Sequence, residues 1–252
     1  MGNNSKILFE DNTHKCVMFS FDDEALEDSF LSVNQYLIVQ HDTAVLIDPG
    51  SEAVFGELYD EVMKYIDISK IKFIFFSHQD PDVSASIGQW AAVTPAKFIM
   101  SSLWTRFMSH YGFMDMARVI ALPDHGAKLK FGDDSLQFLP AHFLHSPGNF
   151  TLYDSRSKII FSGDIGAAVL ASIDGEKEVK DFNEHTKSLE GFHKRYMSSN
   201  KACSAWVDKV RKHDVNMIAP QHGFIFENEN IDKFLDWFKE LKCGIDLIDE
   251  IY

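Results

Sequence analysis

Six side chains break otherwise apolar stretches in a pattern that permits shared chemistry. His78-Gln79-Asp80-Pro81-Asp82 follows the run Ile71 to Ser77, and His145 closes Ala141-His142-Phe143-Leu144-His145. Asp164 ends Phe161-Ser162-Gly163-Asp164, and His222 stands in Pro220-Gln221-His222-Gly223. Polar groups placed repeatedly just past buried strands are costly unless they meet one another, water or a cation. Along an extended chain, side chains alternate, so His78, Asp80 and Asp82 are expected on one side. Any one of these histidines alone reads as a satisfied core or loop residue. Together they point to a metal. Three imidazoles with three carboxylates form a harder donor set than the nitrogen-rich shell of many zinc sites, which leans toward iron or manganese.

The elements that must position these groups follow from periodicity. Strand-like stretches run over Lys15 to Phe21, Leu31 to Gln40 and Thr43 to Ile47, ending in the turn Asp48-Pro49-Gly50. Ser51 is placed to cap a helix reaching Ile66, in which Val54, Leu58, Val62 and Ile66 recur at helical spacing. Ile71 to Ser77 reads as a strand covered on both faces. The second half repeats this grammar. Strands are expected at Leu136 to Pro140, Phe150 to Tyr153, Lys158 to Ser162 and Val215 to Ala219, with two helices over about Glu184 to His213 and a closing acidic helix over Asn230 to Glu250. Residues 166–183 read as a long loop. The order implies an α+β chain, an αββα sandwich of two similar halves in a single domain spanning residues 1–252.

Composition narrows the function. With 252 residues and 45% hydrophobic side chains, 22 of them Phe, the chain has ample material for a core. Lys plus Arg 24 against Asp plus Glu 38 gives a net charge of -14, which argues against nucleic acid and anionic lipid as partners. No apolar run approaches the length of a membrane span, and no secretory leader is visible. Cys16, Cys203 and Cys243 lie far apart, as in a protein kept among reduced thiols, so the expected location is cytoplasmic.

These residues carry a family resemblance that runs nearly end to end. Asn34-Gln35-Tyr36-Leu37-Ile38, Leu46-Ile47-Asp48-Pro49-Gly50, Ser77 to Ser84, His145-Ser146-Pro147, Ser162-Gly163-Asp164-Ile165-Gly166, Arg195-Tyr196 and Pro220-Gln221-His222-Gly223 match in order and separation. The chain resembles the metallo-β-lactamase-like domain of flavodiiron proteins and, within that group, the stand-alone oxygen-binding diiron proteins. The resemblance implies two Fe ions: one held by His78, Asp80 and His145, the other by Asp82 and His222, with Asp164 and an oxo, hydroxo or peroxo group bridging. The family pattern is HxExDH. Here Asp80 replaces the Glu, and Val83 stands where the second iron's histidine would be, leaving that iron short of one protein ligand and open to O2 or solvent.

Flavodiiron enzymes also carry a flavodoxin-like domain, whereas this sandwich takes up the whole sequence, so no flavin is expected. Asp48 is expected to support the metal loop, and Tyr196 matches a family tyrosine near the diiron pocket that would donate a hydrogen bond to bound oxygen. His142 is second best to His145 as a ligand. His14, His41, His110, His125, His185, His193 and His213 read as surface or cap residues. The stretch Phe107 to Met116 reads mainly as core, with a pocket wall or interface as the alternative. The leading function is an oxygen sensor, a binding protein rather than an enzyme, tied by the resemblance to bacterial chemotaxis signalling. Its partners would be O2 and a chemotaxis signalling protein, and a homodimer stays open. The first alternative is an O2 or NO reductase fed by a separate electron donor. The second is a zinc hydrolase, whose usual HxHxDH would need histidine at Asp80 and Val83.

Overall fold

A computed structural model describes residues 4–21, 33–168 and 178–251. They fall into two compact units that meet in the sequence at Leu136 and Gln137. The first contains β1 (Ser5–Glu10), β2 (His14–Ser20), β3 (Asn34–Gln40), β4 (Thr43–Ile47), α1 (Phe55–Met63), β5 (Ile71–Phe75), α2 (Pro81–Ser84), α3 (Ile87–Val93), β6 (Lys97–Ser101), β7 (Val119–Leu122) and β8 (Ala127–Phe131). The strand β9 (Asp134–Pro140) carries the chain into the second unit. That unit holds β10 (Phe150–Asp154), β11 (Ile159–Gly163), α4 (Phe182–Tyr196), α5 (Asn200–Val210), β12 (Met217–Pro220), β13 (Phe226–Glu227), α6 (Glu229–Glu240) and α7 (Ile248–Ile251).

In the first unit the sheet runs β1-β2-β3-β4-β5-β6-β7, antiparallel from β1 to β4 and parallel from β4 to β7. The continuous apolar run of β5 is explained by burial: Ile71, Ile74 and Phe75 are fully enclosed. Parallel pairing sets Ile47 beside Phe75, so the chain leaves β4 and β5 at the same sheet edge. Helix α1 starts at Phe55, later than Ser51 suggests, and its first residue is preceded by Val54 with no side-chain cap. Before it, Gly50 turns at φ 85° and its carbonyl accepts from the Ser86 hydroxyl at 2.7 Å, which commits these residues to a turn. The stretch Phe107 to Met116 divides: Met108 and Phe113 are buried, while Phe107, Met114 and Met116 are exposed.

The second sheet runs β13-β12-β11-β10-β9-β8. Parallel β11 and β12 slip in register between Phe161 and Gly163, and Gly163 pairs with Pro220. The loops carrying Asp164 and His222 therefore leave one edge together, tied by Gln221 N–H donating to the Gly163 carbonyl at 2.8 Å. Asp181 caps α4 by accepting from the amides of Asn183 and Glu184, and Ser199 caps α5 by accepting from that of Ala202. Residues 169–177 of the expected long loop, and residues 31 and 32 of the expected second strand, lie outside the described residues.

The closing helix is shorter than its sequence suggests. It ends at Glu240, Leu241 is extended at ψ 120°, and Gly244 turns at φ 52°. A Cβ on Gly244 would stand 2.2 Å from the Met197 carbonyl oxygen, so this tight crossing breaks the helical run. The inner face of α6 buries Ile231, Phe234, Leu235 and Phe238 against Trp206, Leu189 and Phe226. Each such fully buried side chain contributes roughly 1.5–3 kcal/mol relative to exposure. No helix among the described residues is long and apolar enough to cross a membrane.

Candidate metal centre

In the first unit the chemistry begins just past β5. The Asp48 amide donates to the Phe75 carbonyl at 2.9 Å, and the Asp48 carboxylate accepts from the Ser77 amide at 2.7 Å. Asp48 is buried, and its φ of 49° aims the carboxylate back across the strand ends. Such a charge-assisted bond contributes about 1.5–3 kcal/mol, here directed at fixing the residue before His78. The Ser77 hydroxyl then meets His78 Nδ1 at 2.9 Å, leaving Nε2 to face Asp80 Oδ2 at 3.9 Å. Orientation through the second ring nitrogen is the usual way in which a ligating imidazole is held.

Asp80 is held in turn. The Gln79 side-chain amide donates to Asp80 Oδ1 at 2.8 Å, the Tyr111 hydroxyl donates to the Gln79 carbonyl at 3.1 Å, and the Ser84 hydroxyl donates to the Asp80 carbonyl at 2.9 Å. The simple alternation expected for residues 78–82 does not hold throughout. Asp80 is extended, but Pro81 opens α2, so Asp82 sits half-buried on a helical turn. Proline at the first helical position favours that switch, since its fixed φ suits a helix and its missing N–H is not needed there. Val83 follows on α2, fully buried and unable to ligate.

In the second unit Asp164 is the meeting point. One carboxylate oxygen, Oδ2, lies 3.0 Å from His145 Nε2, and the other, Oδ1, lies 3.5 Å from His222 Nε2. A buried carboxylate presenting each oxygen to a different imidazole is the arrangement that a bridging ligand requires. The donor chemistry fits hard divalent or trivalent iron. The His142 ring is edge-on to Phe150 at 5.1 Å.

Two residues of α4 complete the second unit's share. The Tyr196 ring packs edge-on to His145 at 5.7 Å and stacks on Phe192 at 4.7 Å, and it is 55% exposed. His193, one helical turn earlier, is fully buried. Its Nδ1–H donates to the Leu189 carbonyl at 2.8 Å, and its Nε2 accepts from the Gly166 amide at 3.0 Å, pinning the loop that carries Asp164.

The expectation of a surface or cap role fails for His14, His185 and His193, all of which are buried. His185, Leu189 and His193 share one face of α4, and that face is the buried one. Their spacing was the available signal, but the face could be assigned only by packing. Gln79, Ser84 and Tyr111 were also missed, because single hydrogen bonds to Asp80 or to the residue before it leave no spacing pattern.

Burial lowers the pKa of both His185 and His193 to about 4. The unfolded chain takes up these protons nearer 6.5, so it binds more protons than the folded chain as pH falls. The stability gained from neutral imidazoles is complete above about pH 6.5 and declines toward pH 4, by up to about 1.4 kcal/mol per pH unit for each group. Denaturant midpoints at pH 7 and pH 5 are expected to show this loss, and His193→Gln is expected to make the slope shallower. An unchanged slope in that variant would contradict the assignment.

The family model described as ODP family beta lactamase matches residues 31–223. Among solved structures, the chain is similar to one described as the peroxy diiron species of chemotaxis sensor ODP, with 43% identity, TM-score 0.89, and coverage of 99% of this chain and 100% of that one. The apo state of chemotaxis sensor ODP from T. denticola matches with 44% identity and TM-score 0.89 over 98% of each chain. A mutant flavo di-iron protein from Thermotoga maritima shares the metallo-β-lactamase-like fold at 20% identity and TM-score 0.75, over 93% of this chain and 60% of that one. An uncharacterized protein of Methanocaldococcus jannaschii is 29% identical over 81% of this chain and 52% of its own length. The chain thus spans about half the length of that relative, and 57% of the flavo-diiron protein FprA2 of Clostridium acetobutylicum, to which it is 25% identical. With the family model matched over most of its residues, the chain belongs to the ODP family of β-lactamase-like proteins.

Proposed function

We propose that this protein is a non-haem diiron oxygen sensor. The observation that carries this reading is the 43% identity over 99% of the chain to a chemotaxis sensor described in a peroxy diiron state. The donor set supports it. His78, Asp80 and His145 would hold one iron, Asp82 and His222 the other, and Asp164 would bridge them through the two oxygens it presents to His145 and His222. A ferrous pair held there would supply two electrons to O2. Asp48, Ser77 and Gln79 hold the first unit's ligands in place, and His193 holds the Asp164 loop. Tyr196, packed on His145, would place its hydroxyl toward the oxygen pocket. Val83, fully buried directly after Asp82, would offer the second iron no ligand.

Residues 1–252 would act as one metallo-β-lactamase-like domain. Its signalling partner would be a chemotaxis protein, and its location the cytoplasm, a placement that the wide separation of Cys16, Cys203 and Cys243 in the sequence supports. The test is spectroscopic. Iron-loaded protein, reduced without air and then exposed to it, is expected to develop a visible charge-transfer band that persists. Steady O2 consumption with added reductant, over many turnovers per iron pair, would instead establish the reductase alternative.

A further inference from the structure

Phe143 is the most anomalous residue near the second unit's ligands. Its backbone is left-handed at φ 69° and its aromatic ring is 53% exposed. A left-handed backbone is unfavourable for a bulky residue, and an exposed ring returns little of that through burial. Three hydrogen bonds enforce the conformation: Phe143 N–H to the Ser146 carbonyl at 2.8 Å, Leu144 N–H to the Ala141 carbonyl at 3.1 Å, and Ser198 N–H to the Phe143 carbonyl at 3.1 Å. The same loop ends in His145, whose Nε2 contacts Asp164.

Beside Phe143 opens a mainly apolar cleft of about 500 Å³, with Pro140, Leu144, Ala202, Ala205 and Trp206 among its walls. Lys201 and Lys209, two turns apart on α5, stand at the same cleft. Among the described residues neither ammonium has a carboxylate partner, in a chain whose net charge is -14. Other lysines of the second unit's helices are paired: Lys187, Lys194, Lys233 and Lys239 each meet an Asp or Glu within 2.7 Å. Two unpaired cations flanking an apolar cleft complement an acidic segment that carries an aromatic or aliphatic side chain.

We propose that this cleft, with Phe143 as its exposed anchor, is the surface on which an acidic segment of the partner protein docks, and that the His145 loop makes its affinity depend on the metal. This rests on the oxygen-sensing reading, which is tested separately by metal uptake. A synthetic acidic hexapeptide with a central Phe-Leu pair serves as the probe, and the same peptide with lysine at every acidic position serves as the control. Amide-resolved NMR titration is expected to perturb residues 141–144 and 198–209, with the acidic peptide binding at least about tenfold more tightly than the control. Lys201→Glu with Lys209→Glu is expected to remove that preference.

Phe143→Gly is expected to abolish binding while raising the thermal midpoint, because glycine accepts the left-handed backbone. Affinity is expected to differ at least about threefold between metal-free and iron-loaded protein. Perturbations elsewhere, equal affinity in both metal states, or a Phe143→Gly protein that binds normally and melts earlier would each overturn the proposal. So would a concentration-dependent dimer that places a second copy in the cleft. A chain that takes up no iron yet binds the acidic peptide here would mark failure of the sensing reading and overturn the metal dependence.

Discussion

Asp164→Asn is expected to remove the dinuclear site while leaving the fold in place. The substitution keeps the side-chain shape but replaces one charged oxygen with an amide nitrogen, so the two oxygens now facing His145 and His222 can no longer both accept. Loss of a residue that only orients a ligand typically lowers metal affinity about 10–100-fold, and loss of the bridge should exceed about 100-fold. Metal that binds only the folded chain raises its stability by about 2.7 kcal/mol at a hundredfold excess over the dissociation constant. The wild-type protein is therefore expected to gain several degrees in thermal midpoint on adding ferrous iron anaerobically, and the variant to gain almost none. Circular dichroism of the metal-free variant should match the wild type. A variant that retains two irons and the full thermal gain would remove Asp164 from the bridge.

Val83→His tests the open position from the other direction. Val83 is fully enclosed on α2, directly after Asp82. On the proposed ligand set, an imidazole there would add a ligand to the second iron, so its affinity should rise by about tenfold or more, and the air-induced band should decay correspondingly faster. The extra volume costs roughly 1–3 kcal/mol in the metal-free chain. Val83→Leu adds bulk without a donor and separates the two effects: it should share the destabilisation and leave the band's lifetime unchanged. An unchanged lifetime in Val83→His would contradict the idea that the missing protein ligand sets the behaviour of the site.

Some of this was legible in the residue order, and the reasons are local. The long apolar run of β5 and the Asp48-Pro49-Gly50 turn announce themselves, because a strand buried on both faces has no polar alternation and a turn needs its own residue types. The loops bearing His78, Asp164 and His222 follow strands for the same reason. By contrast, β7 and β8 were not anticipated. Both are short, β7 is mostly half-buried and β8 largely exposed, and Lys128 and Lys130 dilute the apolar signal of β8.

Asp82 shows a different limit: its neighbours favour extension, and only Pro81 marks the switch to a helical turn. His193 shows a third. A histidine on a helix carries no mark of burial in its own identity, and its grip on Gly166 joins residues far apart in the chain. The break of the closing helix at Gly244 likewise depends on the Met197 and Ser198 backbone crossing against it.

The most direct measurement is anaerobic titration of the metal-free protein with ferrous iron, followed by counting bound iron and zinc per chain. Two irons per chain are expected, the second bound more weakly than the first, with Asp164→Asn losing both. A single tightly held zinc, or one iron with no further uptake at saturating metal, would contradict a dinuclear centre built from His78, Asp80, Asp82, His145, Asp164 and His222.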